Sequence, residues 1–217
     1  MMTALHAIFD PLLVAILLLN FFLLGTSRLR AVIGASALQG VVLGVLAVTA
    51  HGELSYQVVL VALGAVAIKA LVLPHFLYRA MRDVAIHREV EPLIGFTSSL
   101  LLGAVGTGLA VVFAHSLPLA EGHADTLILP ASFATVFTGF LVLTTRRKAI
   151  TQVVGYLVLE NGIFIMGLAL LQAMPFLVEV GVLLDLFVAV FVMGIIINHI
   201  SREFASMDVD RMRSLKE

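Results

Sequence analysis

The chain has no cysteine and no tryptophan, and it carries little charge of either sign. Without cysteine there is no disulfide, no thiolate nucleophile and no iron–sulfur ligation. Without tryptophan, any aromatic belt at a membrane interface falls to tyrosine and phenylalanine. Charged residues make up 12% of the 217 positions, about half the ~25% usual in soluble domains. Hydrophobic residues make up 61%, and a soluble domain of this length has too little interior to hide them. The solvent for most of the chain is therefore expected to be lipid. The formal net charge of −1 offers no basic field to attract nucleic acid. The sequence contains no GxxxxGK[ST], no GxGxxG and no triad pattern, so neither a phosphate cradle nor covalent catalysis is indicated. His51, His115 and His123 lack metal-ligand spacing, and neither metal nor cofactor is expected.

A hydrocarbon core of ~30 Å is crossed by about 20 apolar residues in helical form. Seven stretches satisfy this: 9–27, 31–51, 55–78, 92–114, 126–145, 149–173 and 178–200. Asp10-Pro11 opens the first, His51-Gly52-Glu53 closes the second, and the run from Arg79 to Glu91 separates the third from the fourth. The N-terminus has no basic n-region, so a cleaved signal peptide is not expected. The fold class predicted is all-α: a polytopic membrane protein with seven transmembrane helices.

Twelve of the thirteen Lys and Arg residues follow odd-numbered spans: Arg28 and Arg30, then Arg79, Arg82 and Arg88, then Arg146, Arg147 and Lys148, then Arg202, Arg211, Arg213 and Lys216. The loops on the opposite side, 51–54, 115–125 and 174–178, have none. By the positive-inside rule the N-terminus lies outside and the C-terminus inside. The ends of the odd-numbered spans are thus expected to be cytoplasmic.

The thirteenth cation, Lys69, lies inside the third span. Glu160 sits at the centre of the sixth and Asp185 within the seventh. Each ionised group at such depth costs ~2.5–3.5 kcal/mol on insertion scales, so it pairs, faces the bundle interior or lines water. Two readings stand side by side: a proton relay, or an ion pair that holds helices together. Tyr156, one turn before Glu160, and Asn161 beside it supply hydrogen-bonding groups that favour a relay at Glu160. His75, six residues after Lys69, extends a possible path, while its bland reading is a side chain reaching for the interface. Asn20, Gln39, Asn198 and His199 are further polar residues at membrane depth or its edge.

Small residues at Gly40 and Gly44, Gly95 and Gly103, and Gly106 and Gly108 read as close helix–helix contacts. Pro74 and Pro130 are expected to kink or end their helices. The basic turns after spans one and five, each followed by two spans with a charge in the second, suggest a weak parallel repeat joined by span four.

The stretch RRKAITQVVGYLVLENGIF from Arg146, with EVGVLLDLFVAVFVMGI from Glu179, resembles hydrogenase-4 component E. The last three helices of that family are similar to the K-type subunit of respiratory complex I and to the C-type subunit of multisubunit sodium/proton antiporters. The resemblance divides the chain into a four-helix region at 1–125, a K-type-like region at 126–200 and a cytoplasmic tail at 201–217. It implies a non-catalytic membrane subunit of a group 4 [NiFe]-hydrogenase or complex I-related assembly, contributing to coupled proton translocation. Its implied partners are antiporter-like and other membrane subunits, a peripheral redox arm and the lipid bilayer. Glu160 matches the mid-helix glutamate of the family's second K-type helix, and Asp185 stands near the third-helix carboxylate. Lys69 has no K-type counterpart. The competing readings are a subunit of a cation/proton antiporter without a hydrogenase arm, and a membrane scaffold whose charges only pair.

Overall fold

The structure, a computed structural model, describes residues 2–50, 63–64, 66–83, 92–117 and 127–170. The expected seventh span, with Asp185, and the C-terminal tail lie outside the described residues. All regular structure among the described residues is helical. The elements are α1 (Met2–Gly25), α2 (Leu29–Ala50), a π-helical segment (Ala67–Val72) running into α3 (Leu73–Asp83), α4 (Phe96–Ser116), α5 (Ile128–Thr145) and α6 (Ala149–Leu170).

Four of these contain stretches long and apolar enough to cross a membrane: Leu29–Thr49, Phe96–Ser116, Ile128–Thr145 and Ala149–Ala169. Phe9–Gly25 is a shorter apolar stretch within α1. The boundaries of α2, α4, α5 and α6 fall within four residues of those expected from the apolar runs. Two ends differ. Helix α1 starts before Asp10-Pro11, so Pro11 lies inside it rather than opening it. The third helix continues past residue 78 to Asp83, carrying Arg79 and Arg82 with it. Charge did not end this helix because the charge occupies one face. Leu73, Leu77, Ala80 and Met81 are buried while His75, Arg79 and Arg82 are exposed, the spacing of an amphipathic helix.

Pro74 and Pro130 do not end their helices. Pro130 falls in the first turn of α5, where a helix has no use for its missing N–H. Pro74 follows the π-helical segment. It cannot donate to the carbonyl of Ala70, four residues back. The turn before it widens instead, and the Leu73 N–H bonds to the Ile68 carbonyl, five residues back. Lys69 sits within this widened turn.

Helices α5 and α6 form an antiparallel hairpin across Arg146, Arg147 and Lys148 and share the most extensive contact in the described structure. Their backbones nearly touch. A Cβ on Gly155 would lie 2.6 Å from the Leu143 nitrogen, and one on Gly162 would lie 2.5 Å from the Val136 nitrogen. A Cβ on Gly139 would collide with the backbone of Leu159. This is the small-residue packing that membranes favour, where dispersion and close approach replace the hydrophobic effect. Of the glycines expected to make such contacts, Gly40 packs against Lys69, Gly103 against Leu24 and Gly106 against Phe137. Gly95 and Gly108 face open space.

Among the described residues, two apolar clusters are built on this frame. One gathers Leu13 and Ile16 of α1, Leu43, Leu46 and Ala47 of α2, Ala131 of α5, and Ile165 and Leu168 of α6. The other joins Leu24 to Leu141 and Val142, with Leu100 packed against it. Along α1, α5 and α6 the polar residues described next lie between or beside these clusters.

Candidate functional site

Glu160 lies eleven residues into α6 and Gln39 ten residues into α2. At 1.5 Å per residue each is about 15 Å from its helix end, near the middle of a hydrocarbon core. The π-helical segment packs against α2. Gly40 permits the approach, because a Cβ there would stand 2.9 Å from the Cβ of Lys69. The base of the lysine side chain therefore sits close against α2 and its head reaches α6.

The Lys69 ammonium meets Glu160 Oε1 at 2.8 Å. The side chains are 16% and 3% exposed respectively, so this is an ion pair largely removed from solvent. The ammonium also donates to Asn161 Oδ1 at 3.3 Å and stands 5.5 Å above the Phe164 ring, within cation–π range. From Asn161 a chain of amides continues across the bundle. Asn161 Nδ2 donates to Gln39 Oε1 at 3.4 Å. Gln39 Nε2 donates to Asn20 Oδ1 at 2.7 Å, and Asn20 Nδ2 donates to Thr135 Oγ1 at 2.8 Å. Each amide accepts from the lysine side and donates away from it. Such head-to-tail chains polarise cooperatively in a low dielectric, and here they extend the influence of one ammonium through α6, α2, α1 and α5.

The chemistry of the parts assigns their roles. Amides hold hydrogen bonds but do not titrate at any physiological pH, so Asn161, Gln39 and Asn20 hold the site and do not carry charge. The groups able to exchange a proton are Lys69 and Glu160. Beside them lies a small cleft lined by Ser36, Lys69, Leu73, Leu157 and Asn161, with room of about 10 Å³ for a water centre. That is the lower limit for one water, and three of its five walls are polar.

The remaining residues singled out from the sequence fall differently. Tyr156 is half-buried on α6, one turn before Glu160. His75 is exposed on α3, edge-on to Phe76 at 6.0 Å between ring centroids, and none of the described hydrogen bonds joins it to the network. Asp185 lies outside the described residues. No group of three or more His, Cys, Asp or Glu able to hold a metal occurs among the described residues.

Sequence reasoning did not foresee Thr135, Ser36 or the joining of Asn20 and Gln39 into one chain. It also read Arg146 only as a marker of sidedness. Arg146 is 1% exposed. It donates to the Leu24 carbonyl at 2.9 Å and the Ile94 carbonyl at 3.2 Å, and its guanidinium lies 4.5 Å from the Phe96 ring centroid. It thereby binds the end of α1, the approach to α4 and the end of α5 together. Its neighbour Thr145, whose carbonyl receives the Leu93 N–H at 2.8 Å, adds to the same junction.

Comparison with known proteins places this architecture. The chain is 35% identical over 192 residues to the uncharacterized protein Rv0085 of Mycobacterium tuberculosis, covering 87% of each chain. It is 27% identical over 203 residues to hydrogenase-4 component E of Escherichia coli strain K12, covering 92% of this chain and 93% of that one. The same figures hold for component E of Shigella flexneri. No family model and no solved structure matches the chain. The protein thus belongs to one family with the Mycobacterium tuberculosis protein Rv0085, and over most of its length it is a distant homologue of hydrogenase-4 component E.

Proposed function

We propose that this membrane protein is a non-catalytic subunit of an energy-converting, hydrogenase-type complex, and that its Lys69–Glu160 pair takes part in coupled proton translocation. The observation that carries the reading is the ion pair itself, 2.8 Å long and deep in apolar helices. At that distance and an effective dielectric of ~20, the Coulomb attraction is about 6 kcal/mol. The two charge states are therefore strongly linked. A proton delivered to the Glu160 carboxylate converts it to a neutral acid and leaves the Lys69 ammonium without its counter-charge. The ammonium then gives up its own proton to water, so gain of a proton at one group favours loss at the other. The cleft at Ser36 is the place where a water molecule can exchange with the pair. The antiporter-like subunits and redox arm expected as partners supply the driving force.

The subunit is assigned to the cytoplasmic membrane with all basic turns inside. Tyr156 and Asp185 are assigned to the same relay from their places on spans six and seven. His75, exposed on α3, is given the lesser role of a group at the boundary.

Glu160→Gln tests the proposal. It keeps size and hydrogen bonding but cannot exchange charge. Proton uptake into membrane vesicles, driven by the complex's own redox reaction and normalised to assembled complex, is expected to fall by about ten-fold or more. Glu160→Asp is expected to be milder. Undiminished pumping by the glutamine variant would reduce the pair to a structural strut.

A further inference from the structure

The first turn of α2 and the last turns of α3 lie side by side, joined where the Tyr78 hydroxyl donates to the Arg30 carbonyl at 3.3 Å. Between them is a cleft of about 330 Å³ lined by Arg30, Tyr78, Met81 and Arg82. That size falls at the small end of the ~300–1,000 Å³ typical of ligand pockets. Its composition is specific. Arg30 and Arg82 are exposed at the rim, and neither has an acidic partner among the described residues. Met81 is buried and Tyr78 half-buried, so the wall beneath the charges is apolar and aromatic.

These features recognise one kind of chemistry. Two planar, permanently charged guanidinium groups are suited to the oxygens of a phosphodiester, which they can grip in pairs. The N-terminal end of α2, where Arg30 stands, adds the positive end of a helix dipole. The apolar wall matches something carried beside the phosphate that water does not favour. The cleft also sits at the N-terminal end of α2, a helix long and apolar enough to cross a bilayer, and a helix end is where a spanning segment meets lipid phosphates. A zwitterionic lipid brings its own cation to compete with the arginines, and an anionic one does not.

We propose that this cleft binds the phosphate headgroup of an anionic phospholipid, held by Arg30 and Arg82 with its glycerol backbone against Tyr78 and Met81. The site is independent of the proton-relay reading, since none of its lining residues belongs to the Lys69–Glu160 pair or its amide chain.

The test uses the full chain purified in mild detergent. Native mass spectrometry then measures retention of dioleoyl phosphatidylglycerol against dioleoyl phosphatidylcholine. The wild-type chain is expected to retain the anionic lipid preferentially. The double variant Arg30→Gln with Arg82→Gln is expected to weaken that retention by about ten- to thirty-fold, as removal of two basic groups at an anionic lipid predicts. Arg147→Gln, on the turn between α5 and α6, is the matched loss of charge elsewhere and is expected to keep the preference. Should the double glutamine variant fail to insert, Arg30→Lys with Arg82→Lys keeps the charge but loses the paired grip, and an intermediate loss is expected. Inorganic phosphate at millimolar concentration is expected not to displace the lipid. Equal retention of both lipids, an unchanged preference in the variants, or displacement by inorganic phosphate each overturns the proposal.

Discussion

Removal of one member of the Lys69–Glu160 pair is the sharpest perturbation the structure offers. Lys69→Met keeps the length and apolar character of the stem and deletes the ammonium. It removes the 2.8 Å ion pair, the 3.3 Å donation to Asn161 and the contact with Phe164. Breaking a buried pair by taking one partner costs ~3–5 kcal/mol, because the other charge is left uncompensated. Lys69 is 16% exposed and borders the cleft at Ser36, so some relief by water places the cost near the lower end, about 3 kcal/mol. Glu160→Gln alone leaves the ammonium among amide oxygens that can still accept from it, and about 2 kcal/mol is expected. The double variant has no charge to strand and still fills the space. Neutral replacement of a buried pair is often close to neutral in stability, so about 1 kcal/mol is expected. The three values give a coupling of about 4 kcal/mol, far beyond the ~0.3–0.5 kcal/mol within which independent sites add. The assay is unfolding of the purified chain by SDS titration in mixed micelles for wild type, both single variants and the double. If the single effects simply add, the two side chains do not act as a pair and the reasoning fails.

Other expectations follow from individual contacts. Gly155→Ala places a Cβ 2.6 Å from the Leu143 nitrogen and is expected to cost about 1–3 kcal/mol in the same titration. Gly108→Ala, with nothing within 4 Å, is expected to be neutral or slightly stabilising. Gln39→Leu severs the amide chain and strands Asn20 Oδ1 and Asn161 Nδ2, at about 1–3 kcal/mol for each buried group left unmet. Gln39→Glu, which preserves the acceptor toward Asn161, is expected to recover part of that loss. Single cysteines at Gly122 and Ser206 test the orientation: an impermeant thiol reagent is expected to label position 122 from outside intact cells and to spare 206.

Apolar runs made four candidate spans legible because a helix in lipid needs only length and hydropathy, and both are written locally. The third helix was misread at its end for the same reason. Arg79 and Arg82 look like a boundary in one dimension, and only the rotation of an amphipathic helix shows that they share one side. Lys69 and Glu160 were legible as misplaced charges, but their pairing was not. Helices that are apolar all round carry no stripe to fix their rotation, so nothing local to Lys69 says that it faces Glu160. The amide chain was less visible still. Asn20, Gln39, Thr135 and Asn161 are unremarkable singly, and their partners lie 19 to 122 positions away. The π-helical segment could have been suspected from Pro74, whose lost N–H forces some adjustment upstream.

The long separations in that chain bear on how the protein is made. Asn20 is made with the first helix, yet Thr135, the acceptor of its amide, follows 115 residues later. At a synthesis rate of ~5–20 residues per second that interval is about 6–23 s. Gln39, only 19 residues behind, arrives within about 1–4 s and can shelter the Asn20 carbonyl oxygen first. The carbonyl of Leu24 waits for Arg146, 122 residues on. The early helices are thus held as an unfinished pair until the fifth emerges, and the turn bearing Arg146 is the clasp that ends the wait.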